Sequence, residues 1–257
     1  MTTISGAPAD TTPTDPAARV PGPRQAESRL ESYRQFAADV LRRCEADPGA
    51  RSALRSGVRK NLNTVPRMHC VIAHLVPPHV GEDSQQAYYA VAAMIAEQAR
   101  RTDAGGDQAA SPGQVDPASD STAAADKESR KRTYGVSLGA AFALAVTDGP
   151  GRDRLMRRST AESRLNLLCK QSVAGLHRHL PASVRYLRSL EVPVDWGQLL
   201  QDIVDWRRHS GRITRRWLQD FYRRCQEEDR RRADREDVQD LTAGGDGSPA
   251  PVTSPAS

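Results

Sequence analysis

The sequence predicts an all-α fold: two small helical bundles joined by a disordered insert and flanked by disordered tails. Three observations predict it. Apolar residues recur at spacings of three and four through two long blocks, which is the pattern of one helix face. Helix-start signatures stand in front of those runs, and strand signals are few. Composition sets the scale: of 257 residues, 38% are hydrophobic and 5% aromatic. That is too little apolar material for one tightly packed globule of this length, and it suits a smaller folded part with solvated additions.

Taken in order, residues 1–27 form an expected N-terminal arm, rich in Pro, Thr, Ala and Asp, with almost nothing to bury. Residues 28–101 form the first bundle. Leu30, Tyr33, Phe36, Val40, Leu41 and Cys44 line one helix face, and Ser28 with Glu31 reads as a capping box at its start. Pro48-Gly49 supplies a break. Residues 102–133 read as a flexible insert, with Val115 as its one large aliphatic residue. Residues 134–225 form the second bundle. Ser159/Glu162 precedes Leu165 and Leu168, and Asp195/Gln198 precedes Leu199, Leu200, Ile203 and Trp206. A last helix carries Ile213, Trp217 and Phe221 on one face, and Trp196, Trp206 and Trp217 are expected to anchor the core. Residues 226–257 begin as a charged helix extension and decay into a Gly/Ser/Pro tail.

Several classes are excluded. The apolar run from Tyr88 to Ala96 has nine residues, and no run reaches the ~18 a membrane span needs. The first 25 residues lack an apolar signal region. Cys44, Cys70, Cys169 and Cys225 are widely spaced and form no CxxC. Their pattern fits small buried hydrophobes in a reducing compartment, so a cytoplasmic protein without a membrane partner is expected.

Charge is the informative feature. The formal net charge is +5, but it is concentrated: residues 150–225 carry 16 Arg and Lys against seven Asp and Glu. On the last helix Arg212, Arg215, Arg216 and Arg223 fall on one stripe, apart from the Ile213/Trp217/Phe221 face. A second group, Arg51, Arg55, Arg59 and Lys60, repeats at four-residue spacing in the first bundle. Such rows are either solvated faces or arrays of cations that contact successive phosphates and release counterions. Few aromatics adjoin them, which places base stacking second to backbone contact.

Catalytic patterns are absent: no Walker A, GxGxxG, HExxH or GxSxG occurs. Cys70 and His74 share a helical spacing, with His69 and His79 nearby, but no second ligand pair completes a zinc site. Asp195, Asp202 and Asp205 would be the carboxylates of a metal-dependent nuclease. Asp195 reads better as a helix N-cap, and the other two are expected to face solvent beside Arg207 and Arg208. His209 stands in an expected Arg-rich turn. No catalytic residue, metal site or cofactor is assigned.

Several stretches resemble a known family. Tyr134-Gly-Val-Ser-Leu-Gly139, Ala161-Glu-Ser-Arg-Leu165 with Leu167 and Leu168, Val192-Pro-Val-Asp-Trp-Gly-Gln-Leu-Leu-Gln-Asp-Ile203, Trp206 and Trp217-Leu-Gln-Asp-Phe-Tyr222 resemble the CasB family. Gly49-Ala-Arg-Ser-Ala-Leu-Arg-Ser-Gly57 resembles its N-terminal basic turn. CasB is the small subunit of Cascade, the type I-E CRISPR effector complex. The resemblance covers about 28–101 and 134–225. It implies an all-α, non-catalytic protein whose partners are the other Cascade subunits, the CRISPR guide RNA, the target and displaced DNA strands, and a second copy placed head to tail. Its role there is to stabilise the R-loop after base pairing has read the sequence, in antiviral defence. By matching position, Arg51 and Arg55 fall in the basic turn, Arg164, Lys170 and Arg185 in the middle helices, and Arg212, Arg215 and Arg216 in the last basic region. Ala140 stands where the family usually has Arg after Ser-Leu-Gly. The alternative reading is a free-standing helical DNA-binding regulator, for which no clear helix-turn-helix signature is present.

Overall fold

The structure is a computed structural model in which residues 23–98, 136–147 and 155–243 are described. The expected arm through residue 22, the insert with its basic end Lys127–Arg132, Tyr134-Gly135, Gly149-Pro150-Gly151 and the final tail lie outside the described residues. Among the described residues every regular element is helical. The elements are α1 (Pro23–Ala46), α2 (Pro48–Arg55), a 3₁₀ turn (Leu62–Thr64), α3 (Pro66–Ile72), a second 3₁₀ turn (Ala73–Leu75) and α4 (Glu82–Glu97). After the insert come α5 (Leu138–Val146), α6 (Arg158–Cys169), α7 (Val173–Ser189) and α8 (Trp196–Ala243).

The helix starts show which local signals prevail. α1 begins at Pro23 rather than at Ser28. Proline suits the first turn, where its missing N–H has no intrahelical partner to lose. Ser28 therefore lies inside the helix, and its carbonyl accepts from Ser32 Oγ at 3.0 Å. A single residue, Asp47, separates α1 from α2; its carboxylate accepts from Gly49 N at 2.7 Å, and Pro48 opens the new helix. The expected capping box at Ser159/Glu162 does not form. α6 starts two residues earlier, with Arg157 in the cap position and Arg158 as the first helical residue; Met156 N donates to Ala145 O at 2.8 Å and ties the entering chain to the end of α5. Glu162 instead meets Arg158 at 3.5 Å. Asp195 does cap α8, accepting from Gln198 N at 3.0 Å.

α4 and α5 are the elements buried nearly all round, which accounts for the apolar run through Tyr88 to Ala96. A helix apolar on every side belongs in the interior. α4 packs against α1, α2, α7 and α8, and α5 lies along α8. Close approach depends on glycine at two points. A Cβ on Gly139 of α5 would stand 1.8 Å from the Trp217 carbonyl oxygen of α8. One on Gly197 of α8 would meet the backbone of Arg34 in α1 at 3.0 Å. The buried apolar side chains of both blocks gather in one cluster that includes Phe36, Leu54, Ile72, Phe142, Leu165, Leu187 and the three tryptophans. The cysteines divide: Cys44 and Cys225 are buried and Cys169 is half-buried, but Cys70 is exposed on the outer side of α3.

α8 is not straight. His209 has non-helical dihedrals (φ −133°, ψ 23°), and the axis turns sharply there. Residues fourteen apart in a straight helix lie ~21 Å apart along the axis. Yet Arg216 pairs with Asp202, fourteen residues earlier, and the rings of Trp206 and Trp217 are 5.1 Å apart. The expected turn at His209 is thus a corner between two helical arms, with no loop between them.

Candidate nucleic-acid interface

The N-terminal basic group sits on the end of α2 and the turn after it. Arg55, Arg59 and Lys60 are exposed, while Arg51 is half-buried. Arg51 Nε donates to Ala96 O at 3.1 Å and its Nη2 to Gln98 O, so this guanidinium caps the C-terminus of α4. An arginine is well suited to that end of a helix, where unpaired carbonyls carry partial negative charge. Arg51 and Arg55 line an open concavity with Pro48, Ser52 and Ser56. Arg59 adopts the left-handed region (φ 62°), and Lys60 N closes the turn on Gly57 O at 3.0 Å. Gln86 of α4 fixes this turn from below: its amide donates to Lys60 O and accepts from Leu62 N, at 3.0 and 2.8 Å.

The middle-helix cations have neighbours of their own. The Arg164 guanidinium lies 4.5 Å from the centre of the Tyr186 ring, joining α6 to α7. Arg185 pairs with Glu97 at 3.1 Å and joins α7 to α4. Lys170, at the C-terminal end of α6, is exposed.

On the second arm of α8, Arg212 and Arg215 are exposed and make no ion pair with another described residue. Arg216 differs. Its guanidinium contacts the carboxylate of Asp202, which is 2% exposed. The same carboxylate accepts from Gln198 Nε2 at 2.9 Å and from the Trp217 indole at 2.7 Å. Burial pushes the Asp202 carboxyl up from the ordinary range, and Arg216, Trp217 and Gln198 pull it back toward the anion. The expectation of a solvent-facing Asp202 is thereby corrected: the corner at His209 folds the second arm over it. Asp205 is also not free, since Arg29 of α1 donates to it at 3.3 Å.

Three contacts had no sequence signal strong enough to find them. Ser137 Oγ donates to Asp220 at 2.6 Å and Ala140 N donates to Ser137 Oγ at 3.3 Å. With Gly139 against the Trp217 backbone, the Ser-Leu-Gly segment is the joint between α5 and α8. Ala140 beside it is buried and offers no charge. Arg223, on the stripe read from the sequence, is exposed, and exposed Arg224 beside it and Arg208 ahead of the corner add to the α8 cations.

Other candidates resolve into packing. His69 Nδ1 and Tyr89 Oη are 2.6 Å apart, and Cys70 contacts Pro66 O within its own helix. No group of three His, Cys, Asp or Glu among the described residues is placed to hold a metal ion. No described helix is long and apolar enough to cross a membrane.

Comparison with known proteins agrees with this fold. The model of the family described as CRISPR-associated protein Cse2 matches residues 50–222. A chain of a solved CRISPR RNA-guided surveillance complex is 29% identical, with a TM-score of 0.60 and coverage of 79% of this chain and 98% of that one. A chain of such a complex described as pre-nicking is 32% identical, with a TM-score of 0.59 and the same coverage. CasB of M. ruber has the same fold at 20% identity, a TM-score of 0.53 and coverage of 77% and 96%. No curated protein sequence matches. The family match extends over well more than half of the chain, from α2 to the second arm of α8, and on that ground the protein belongs to the CasB/Cse2 family of CRISPR-associated proteins.

Proposed function

We propose that this chain is the non-catalytic small subunit of a type I-E CRISPR RNA-guided surveillance complex. In this reading its exposed arginines hold the phosphate backbone of the target and displaced DNA strands and so stabilise the R-loop. The observation that carries it is the family match over residues 50–222, together with two chains of surveillance complexes whose length this chain covers almost entirely. The other subunits, the guide RNA and a second copy placed head to tail are its partners, in the cytoplasm.

The physical chemistry supports a backbone contact. Arg212, Arg215, Arg223 and Arg224 present guanidinium groups to solvent from the second arm of α8, and Arg208 does so from the first. Phosphate contacts position a protein without reading bases, and base pairing with a guide supplies the sequence information. A non-catalytic role is supported by where the carboxylates are: Asp195 caps α8 and Asp202 is enclosed by Arg216, Trp217 and Gln198.

The test has two parts. Gentle purification of the tagged protein from its own cells should recover short RNAs of uniform length with several other proteins. For the purified chain, the affinity for single-stranded DNA should fall linearly in log–log form with salt, and Arg212→Ala/Arg215→Ala should reduce the slope by ~1.4, at ~0.7 per phosphate contact. An unchanged slope in a folded double variant would refute the proposed arginine face. Arg216 is left out of that variant because its loss strands the Asp202 carboxylate.

A further inference from the structure

Asp202 is a charged group in the interior, and its partners share an unusual relation along the chain. Gln198 precedes it by one helical turn; Arg216 and Trp217 follow it by fourteen and fifteen residues, beyond the corner at His209. His209 is the residue within α8 whose dihedrals leave the helical region. Across that corner the two arms meet through the Trp206–Trp217 ring pair and through this carboxylate. A buried ion pair is weak support for stability, because desolvation offsets much of its attraction. Its directional hydrogen bonds, however, select one arrangement of the groups they join.

We infer that Asp202 is a positioning residue: it sets the angle between the two arms of α8 and so fixes where Arg212 and Arg215 stand. This rests on the proposed role of those arginines in binding phosphates. Arg212 and Arg215 lie between the corner and Arg216, so their direction relative to the first arm follows from the clamp. Arg216, on the same stripe by sequence, belongs to the clamp and leaves the outward face to its neighbours.

Electrostatics alone makes the opposite prediction, and that separates the two accounts. Asp202→Asn removes a negative charge near a basic surface, so a charge-only account predicts unchanged or tighter binding to single-stranded DNA. Asparagine offers one acceptor and one amide donor where the carboxylate offers two acceptors. One of its N–H partners is then left facing a donor, which loosens the corner.

The experiment compares the full-length wild type, Asp202→Asn and Arg212→Ala/Arg215→Ala on a fluorescent oligothymidylate at several salt concentrations. Far-UV circular dichroism checks helicity, and near-UV circular dichroism follows the Trp206–Trp217 pair. Expected for Asp202→Asn are wild-type helicity, a reduced near-UV signal and binding weaker by about tenfold, with a salt slope lower by ~0.7 for each phosphate the protein no longer holds. Unchanged or tighter binding by Asp202→Asn, with the arginine variant weakened, would overturn the positioning role and leave the arginine face intact. An arginine variant that binds like wild type would overturn both. If Asp202→Asn does not fold, Trp217→Phe, which removes one donor to the carboxylate and no charge, replaces it in the binding series under the same criteria.

Discussion

Replacing Gly139 by Ala adds one methyl group where α5 crosses α8. The new carbon would stand 1.8 Å from the Trp217 carbonyl oxygen and 2.5 Å from its carbonyl carbon. Ordinary contacts between non-bonded carbons begin near ~3.5 Å, so the helices must part by more than an ångström, because a backbone carbonyl cannot swing aside as a flexible side chain does. A gap of that size forfeits roughly half of the attraction across it. Leu138 and Phe142, which α5 buries, are each worth about 1.5–3 kcal/mol, so losing half of the pair is about 1.5–3 kcal/mol. The better helix propensity of alanine returns about 1 kcal/mol. The net expectation is destabilisation of about 0.5–2 kcal/mol, read as a lower urea midpoint at constant slope. Gly211→Ala is the control: its Cβ meets nothing within 4 Å, and in an exposed helix the same exchange should stabilise by about 0.5–1 kcal/mol. Equal midpoints for the two variants would refute the placement of α5 on α8.

Other expectations follow from strain, burial and titration. Glu191 holds a left-handed conformation (φ 58°) at the end of α7, where Val192 N closes on Leu187 O at 3.1 Å; Glu191→Gly should raise stability by about 0.5–1 kcal/mol, and a loss in thermal unfolding would contradict the strain. In the native protein one thiol, Cys70, should react promptly with a disulfide reagent and all four in denaturant. Burial pushes Cys169 up to about 11 and raises Cys44 and Cys225, so two prompt thiols would be the contrary result. Burial also pushes Tyr88 up to about 12. Its folded value lies above that of the unfolded chain, so its contribution to stability is complete below pH ~10 and is lost as the pH rises through the folded value. Tyr88→Phe should remove that part of the alkaline decline, and identical pH profiles would refute it.

Helix identity was legible because it depends on local periodicity. The Leu30–Cys44 face, the Asp195 cap and the Ile213/Trp217/Phe221 stripe each lie within a few turns of chain, and each occurs as read. Helix starts were less legible where two local devices compete. Proline at residue 23 begins α1 ahead of the Ser28 signature, and α6 starts ahead of Ser159, just after the tie from Met156 to α5. What periodicity could not carry was the corner. The turn read at His209 gave the place of the break, but one non-helical residue with neither proline nor glycine at that position gives no signal of how sharply the two arms fold together. Without the corner, Asp202 is placed at the surface and Arg216 beside Arg212 and Arg215; with it, both are drawn into the joint between the arms. Arg51 shows the same limit, since its carbonyl partners lie 45 and 47 residues away.

The basic residues therefore divide by what lies behind them rather than by spacing. Arg51 completes the end of α4, Arg164 covers Tyr186, Arg185 meets Glu97 and Arg216 neutralises Asp202. Removing any of these changes a contact within the fold itself. Arg55, Arg59, Lys60, Arg212 and Arg215 have no such described partner, and their replacement alters the surface field with the least change beneath it. Salt dependence distinguishes the two kinds, because it reads counterions released and not stability. A basic stripe on a helical subunit of this kind is thus two populations at one spacing: cations that build the surface and cations that the surface presents.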